Sequence, residues 1–340
     1  MISIRHIQLP ITATAGLDYV LKSYGSSLIE LLTELKLTYA DFYIDDKTVD
    51  GLVFNDVIEQ AAYQFSNANL GIELAKYQSF EILNTASPDI TANCIGDIVE
   101  QMMSRLAIHS PALAVHIMGE DPIGICYEIS TSAFPSSYRR RHLSERQVTE
   151  LGLAICVYEF KALLGALWQP AYCLFRHSSP STSGLSKSVF GGNVFYQQDV
   201  NGVFLSKDDW YRQFDSSSTR LAEAFTQREQ PLPLVYQVQR TVKSLFSYSK
   251  PTLATTAEYL SLCRRTLQFQ LQREGQTFQR VLDGVRLDLA NYYLATTPLS
   301  IAAVSERLHF SESAVFTRFI KKHTGLTPKQ YRRLLKDGID

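Results

Sequence analysis

The chain has 340 residues, enough for two domains, and its 45% hydrophobic and 20% charged content is that of an ordinary globular protein. The net charge of −1 conceals a division: residues 231–340 hold 16 Lys and Arg against 8 Asp and Glu, a net +8, whereas residues 1–230 hold 17 against 26, a net −9. A basic tail on an acidic body points to a polyanionic partner for the tail, and the dispersed Cys94, Cys126, Cys156, Cys173 and Cys263, with no C-x-x-C pair, exclude a disulfide framework and suit a reduced, cytoplasmic setting.

The histidines are scattered as well. His109 and His116 are the closest pair, with no Cys or Asp ligand beside them, so no metal site and no cofactor are expected. The opening MISIRHIQLP has no long apolar run before Pro10, so no signal peptide is expected. The most apolar stretch, 151–168, contains Glu159 and Lys161 and reads as a core helix rather than a membrane span.

In chain order, residues 15–107 predict helices. Leu17, Val20 and Leu21, then Leu28, Leu31, Leu32 and Leu35, recur at three- and four-residue spacing, and similar faces occupy 52–65 and 95–106, the latter with Asn93 as an N-cap candidate. The pattern then alternates: 112–118 and 123–129 are short apolar runs around the turn Gly119-Glu120-Asp121-Pro122. A helix near 147–167 follows, then a strand at 172–176, a Ser/Pro/Gly loop at 178–183, and a second strand pair, 194–197 with 202–205, turning at Asp199, Asn201 and Gly202. Helices on a small antiparallel sheet make an N-terminal α+β domain over 1–215. Ser216-Ser217-Ser218 and Pro231-Leu232-Pro233 bracket a linker at 216–233, and 234–340 reads as an all-α domain.

That C-terminal domain repeats one pattern. From Ala257 the intervals to Leu260, Leu262 and Cys263 are 3, 5 and 6 residues, and the same intervals separate Ser305 from Leu308, Phe310 and Ser311. A small residue lets a second helix cross closely, the leucine closes the buried face, the next apolar residue plugs the corner, and the polar residue after it can cap the following helix. Between the repeats, Val281, Leu282, Val285, Leu289 and Leu294 predict one continuous helix over 278–294. The expected architecture is two helix-turn-helix units joined by a connector helix. Rigidly linked recognition helices could enter successive major grooves about 34 Å apart on one face of DNA.

This segment resembles the DNA-binding domain of the AraC/XylS family of transcription regulators over about residues 235–335. The resemblance is carried by Ala257-x-x-Leu260, Arg265-Thr266-Leu267-Gln268, Arg286-x-x-x-Ala290-x-x-x-Leu294, Phe310-Ser311-Glu312, Phe316-x-Arg318 and, most specifically, Thr324-Gly325-x-x-Pro328-x-x-Tyr331-Arg332. It implies base-edge contacts from Arg264, Arg265 and Gln268 in the first unit and from Ser313, Ala314, Thr317 and Arg318 in the second, with Lys321 and Lys322 on phosphate. It implies as partners double-stranded promoter DNA, RNA polymerase and a second copy of the chain. Departures are His309 where the family has Gly, Cys263 where a Ser cap is usual, Phe269 and Gln270 where Arg is frequent, and His323 in place of an aromatic. On these grounds the second unit is expected to hold on more firmly than a typical family member's, with the first contributing mainly through Arg264 and Arg265.

Leu70-Gly71-Ile72-Glu73-Leu74-Ala75, Ile108-His109-Ser110-Pro111-Ala112-Leu113 and the closing Val194-Phe195-Tyr196 with Asn201-Gly202-Val203-Phe204 resemble the α+β effector domain of one branch of the same family. This implies a small organic effector, for which Tyr127, Tyr158, Phe175 and Arg176 are candidate pocket residues, and Arg139-Arg140-Arg141 is a candidate anion site weighed against a solvated loop. An enzyme with an appended DNA-binding tail finds no support: Gly184-Leu185-Ser186-Lys187-Ser188 lacks the phosphate-loop glycine pattern, and G-x-S-x-G and H-E-x-x-H are absent. A first domain that only dimerises stays open.

Overall fold

The computed structural model describes residues 8–44, 48–78, 92–109, 113–129, 145–180, 184–213, 234–246, 250–260 and 262–337. The expected linker at 216–233 and the Arg139-Arg140-Arg141 run lie outside the described residues. Two units emerge, the first from residues 1–31 and 46–230 and the second from 32–45 and 231–340.

In the first unit, strand β1 (Gln8–Pro10) pairs antiparallel with β2 (Thr48–Asp50), a small sheet that the helical reading of this region missed. Helices α1 (Leu17–Ser23) and α2 (Leu28–Glu34), the second of which crosses into the other unit at Leu32, bury Leu17, Val20, Leu21, Leu28, Leu31 and Leu32, while Leu35 lies past the end of α2 and is half-buried. Helix α3 (Tyr39–Phe42) falls in the second unit. Helix α4 (Gly51–Gln64) starts where the Asp50 carboxylate accepts the N–H groups of Leu52 at 2.9 Å and Val53 at 3.1 Å, satisfying two of the donors that a helix start leaves open.

Helix α5 (Leu70–Ala75) lies against the central helix α7 (Arg146–Leu164) so closely that a Cβ on Gly71 would sit 2.1 Å from the carbonyl oxygen of Gln147. The Gly71 N–H donates to the Gln147 side chain at 2.7 Å. Helix α6 (Ile95–His109) does not use Asn93 as its cap; Asp97 reaches back and accepts the main-chain N–H groups of Asn93 at 2.7 Å and Cys94 at 3.3 Å.

The main sheet departs from the all-antiparallel reading. Strands β3 (Leu113–Met118), β4 (Ile123–Ile129), β5 (Tyr172–Leu174), β6 (Val194–Phe195) and β7 (Asn201–Leu205) take the order β3-β4-β7-β5-β6, with β5 and β6 parallel. The β3–β4 hairpin forms at the expected turn. The expected pairing of β6 with β7 does not, because β5 lies between them. Helix α8 (Gly184–Phe190), which the sequence patterning did not predict, is the cause: it buries Val189 and Phe190 and carries the chain back so that β6 runs parallel to β5. Gln197, with φ of 58°, turns the chain away before a longer strand can form. Helix α9 (Lys207–Tyr211) closes the unit, capped by Ser206 and burying Trp210.

The second unit contains α3, α10 (Leu234–Leu245), α11 (Leu253–Tyr259), α12 (Arg264–Arg273), α13 (Phe278–Thr296), α14 (Ile301–Arg307), α15 (Ser313–Thr324) and α16 (Pro328–Asp337). Residues 32–45 had been expected within the N-terminal domain. They belong here because α3 turns Tyr39 and Phe42 inward, both buried, onto α13 and α16. The Asn291 side-chain amide of α13 donates to the Tyr39 hydroxyl at 3.3 Å, and Tyr43 meets Tyr292 edge-on at 5.3 Å. Among the described residues no helix is long and apolar enough to cross a membrane.

Candidate nucleic-acid interface

Helices α11 and α14 end alike. After α11 the Leu262 N–H donates to the Ala257 carbonyl at 2.8 Å; after α14 the Phe310 N–H donates to the Ser305 carbonyl at 3.1 Å. Each bond spans the last helical turn and reverses the chain, as in a Schellman closure. Ala257 and Ser305 are buried beneath these turns, so a larger side chain at either would push the following helix away. His309 holds the left-handed conformation of such a closure, with φ of 54°, where glycine would be free of the Cβ conflict.

The next helices start differently. Helix α12 begins directly after Cys263, whose sulfur accepts the Thr266 N–H at 3.4 Å and lies 3.0 Å from the Thr266 hydroxyl. Those two bonds hold the exposed thiol below its ordinary pKa. Helix α15 begins one residue later in its repeat, after Glu312, and no side chain caps it. The expected Ser311 cap is therefore absent, because the second turn is a residue longer, and the helix thought to start less firmly is the capped one. Leu267 and Leu271, the buried residues of α12, consequently match Phe316 and Ile320 of α15.

Arg264, Arg265 and Gln268 are exposed on α12, and Ser313, Ala314, Arg318, Lys321 and Lys322 are exposed on α15. Thr317 is half-buried and donates its hydroxyl to the Ser313 carbonyl at 2.9 Å. Among the described residues no ion pair joins Arg318 to Glu312, which leaves the guanidinium turned to solvent.

Helix α13 packs against the second turn. It buries Val281, Leu282, Val285, Ala290 and Leu294, and its Arg286, 9% exposed, lays its guanidinium 4.6 Å over the ring of Phe310. Burial lowers the Arg286 pKa, and Asp283, 4.0 Å away, offsets part of that effect. Phe310 in turn packs 5.4 Å from Phe316 and 5.1 Å from Phe319. A chain of contacts thus runs from α13 through the corner residue into α15.

In the first unit, Tyr127 on β4 and Arg176 after β5 both face the carboxylate of Glu145 electrostatically. Burial, with Glu145 and Cys156 adding to it, raises the Tyr127 pKa, and Arg176 draws down a Glu145 pKa that burial raises. Phe175 is fully buried among His177, Phe190 and Tyr196 at 4.9, 5.1 and 5.7 Å and belongs to the core. Tyr158 is half-buried on α7.

A second polar cluster escaped the sequence reading. Glu150 is fully buried, accepts from Arg146 Nε at 3.1 Å and lies 3.4 Å from His177 Nε2, while its other oxygen has no partner among the described residues. Burial pushes its carboxyl up to about 7 against the pull of Arg146, and burial lowers His177. The signal was present: Glu150 shares the 3.6-residue face of Leu153, Ala154 and Val157, a carboxylate where apolar residues are the rule. Among the described residues no group of His, Cys, Asp or Glu is placed to hold a metal ion.

A family profile described as a helix-turn-helix domain matches residues 256–334, the stretch that carries α12 through α15. The HTH-type transcriptional regulator VirS of Mycobacterium tuberculosis is 23% identical over 329 residues, 93% of this chain and 94% of VirS. Residues 256–334 form a helix-turn-helix domain, and the chain is a DNA-binding transcription regulator. The ornithine utilization regulator of Pseudomonas aeruginosa is 40% identical to the regulator over 82 residues, 24% of each protein. Among solved structures, the transcriptional regulator CdpR of Pseudomonas aeruginosa is 16% identical with a TM-score of 0.35, covering 93% of this chain and 97% of CdpR. The sequence relatives are transcription regulators rather than enzymes, and DNA is this regulator's partner.

Proposed function

We propose that α11–α12 and α14–α15 act as two helix-turn-helix units, with α12 and α15 as recognition helices in successive major grooves of promoter DNA and α13 fixing their separation. The observation that carries this reading is the pairing of two similarly closed turns with two exposed, basic helix faces. Arg264, Arg265, Gln268, Ser313, Ala314, Thr317 and Arg318 read base edges, and Lys321 and Lys322 neutralise phosphates. The chain works as a cytoplasmic homodimer that contacts RNA polymerase, and its first unit responds to a small organic effector near Tyr127, Tyr158 and Arg176.

The test is binding of the full chain to its upstream promoter DNA across a salt series. The full chain is needed because a fragment beginning at residue 231 lacks residues 32–45, which belong to the second unit. Each phosphate neutralised adds about −0.9 to the slope of log affinity against log salt, so a steep decline is expected. Absent or salt-insensitive binding overturns the reading. The effector is sought separately, by melting the full chain against a metabolite panel; a binding metabolite raises the melting temperature by mass action, and no shift across the panel favours a first unit that only dimerises.

A further inference from the structure

On α12 the side chain aimed most directly away from the protein is neither an arginine nor a glutamine. At about 100° per residue, Phe269 is turned about 160–200° from both buried residues, Leu267 two places before it and Leu271 two places after. Its ring is 60% exposed, and it makes no ring or cation contact among the described residues. Arg318 holds the same position on α15, midway between buried Phe316 and Ile320. The centre of one exposed face is therefore apolar and the centre of the other cationic.

A lone exposed ring is ordinary on a protein surface, so what distinguishes Phe269 is its place at the centre of the solvent face of α12 and the charge around it. Arg264, Arg265 and Arg273 are exposed on the same helix. Glu274, the residue that follows α12, is engaged: it accepts the main-chain N–H groups of Leu234 at 3.0 Å and Val235 at 2.9 Å. An apolar ring on a helix with three exposed arginines matches a surface that is polyanionic at its edges and carries an apolar group at its centre. The DNA major groove is such a surface, and thymine is the base that presents a methyl group there.

We infer that Phe269 reads the C5-methyl of a thymine in the first half-site, where Arg318 reads a guanine in the second, so that the two half-sites differ at corresponding positions. This rests on the reading of α12 as a major-groove helix. Phe269 is then a specificity-determining residue, and its exposure in the free protein is the consequence of that role.

The inference is tested by selecting binding sites from random duplexes with the full chain and with Phe269→Ala and Phe269→Arg, then replacing each thymine of the selected site by deoxyuridine, which removes only the methyl. One thymine is expected to be invariant for the unaltered chain. Its replacement by deoxyuridine should weaken binding about fourfold, the factor equivalent to ~0.8 kcal/mol for one buried methyl group. Phe269→Ala should bind both duplexes equally, and Phe269→Arg should shift the preference at that position towards guanine. If Phe269→Ala selects the same bases and keeps the same deoxyuridine penalty, the inference falls while the DNA-binding reading stands. If instead Phe269→Ala changes the oligomeric state and leaves base preference intact, the ring serves a protein interface and the inference is likewise overturned. Selection of no sequence by the unaltered chain would fail the reading of α12 and α15 together.

Discussion

Glu150 and His177 sit 3.4 Å apart inside the first unit, and their titrations work against each other. The folded chain holds the Glu150 proton up to about pH 7, whereas a free carboxyl releases it near 4.5. Its contribution to stability is thus fully present below 4.5 and is lost as pH rises through 7. His177 is lowered by burial from 6.5, so below that value protonation favours the unfolded chain and stability rises with pH. Glu150→Gln keeps an acceptor for Arg146 and removes one of the two titrations. We expect it to raise the melting temperature above pH 7, by about 1–3 kcal/mol in stability, and to give no advantage at pH 5. A gap between the two proteins that stays constant from pH 5 to 8 would contradict this assignment. His309 poses a similar contest between a left-handed backbone and a ring stacked 5.8 Å from Phe246. His309→Ala keeps the strain and loses the stacking, a cost of about 1 kcal/mol, whereas His309→Gly loses both. Glycine should therefore be the more stable of the two replacements in urea denaturation; the reverse order would show that the turn carries no strain.

Among the elements, α3 is the one whose placement sequence patterning did not reveal. Four residues are too few for a helical period, and nothing local distinguishes Tyr39 and Phe42 from core residues of the helices on either side. The partners that define α3 lie some 250 positions away, Asn291 and Tyr292 on α13, and separation of that kind leaves no local trace. The same holds for β6, whose parallel pairing with β5 depends on α8, a seven-residue helix too short for its buried face to repeat. Long periodic helices were legible, α4, α7 and α13 among them, because each carries enough turns for its buried face to repeat. The turn closures were legible too, since Ala257 and Ser305 are small for a steric reason visible in spacing alone. The extra residue before α15 was not, because it follows the corner and shifts only the register of the exposed face. If α3 is part of the second unit, Phe42→Ala leaves a cavity there and destabilises that unit by about 3–5 kcal/mol. Hydrogen exchange would register this as lost protection along α13. Protection lost only in α1 and α4 would return α3 to the first unit.

Across the whole molecule, charge and architecture point the same way. The unit that exposes α12 and α15, residues 32–45 with 231–340, holds 17 Lys and Arg against 11 Asp and Glu, a net +6, and the sheet-containing unit holds 16 against 23, a net −7 that is ill-suited to a polyanion. The close approach of α5 to α7 at Gly71, and the buried polar groups around Glu150, give the first unit a tightly specified interior. In the second unit, α13 lies between the two turns in sequence and holds the second of them through Arg286 and Phe310; on the proposed reading this one helix sets their separation. The most direct measurement of that claim is hydroxyl-radical footprinting of the full chain on its promoter DNA, repeated with Arg318→Ala. Two protected patches on one face of the duplex, about 10 base pairs apart, are expected, with Arg318→Ala costing about 1–3 kcal/mol at the preferred site and weakening the second patch alone. A single patch, or two patches on opposite faces, would contradict a pair of recognition helices fixed by α13.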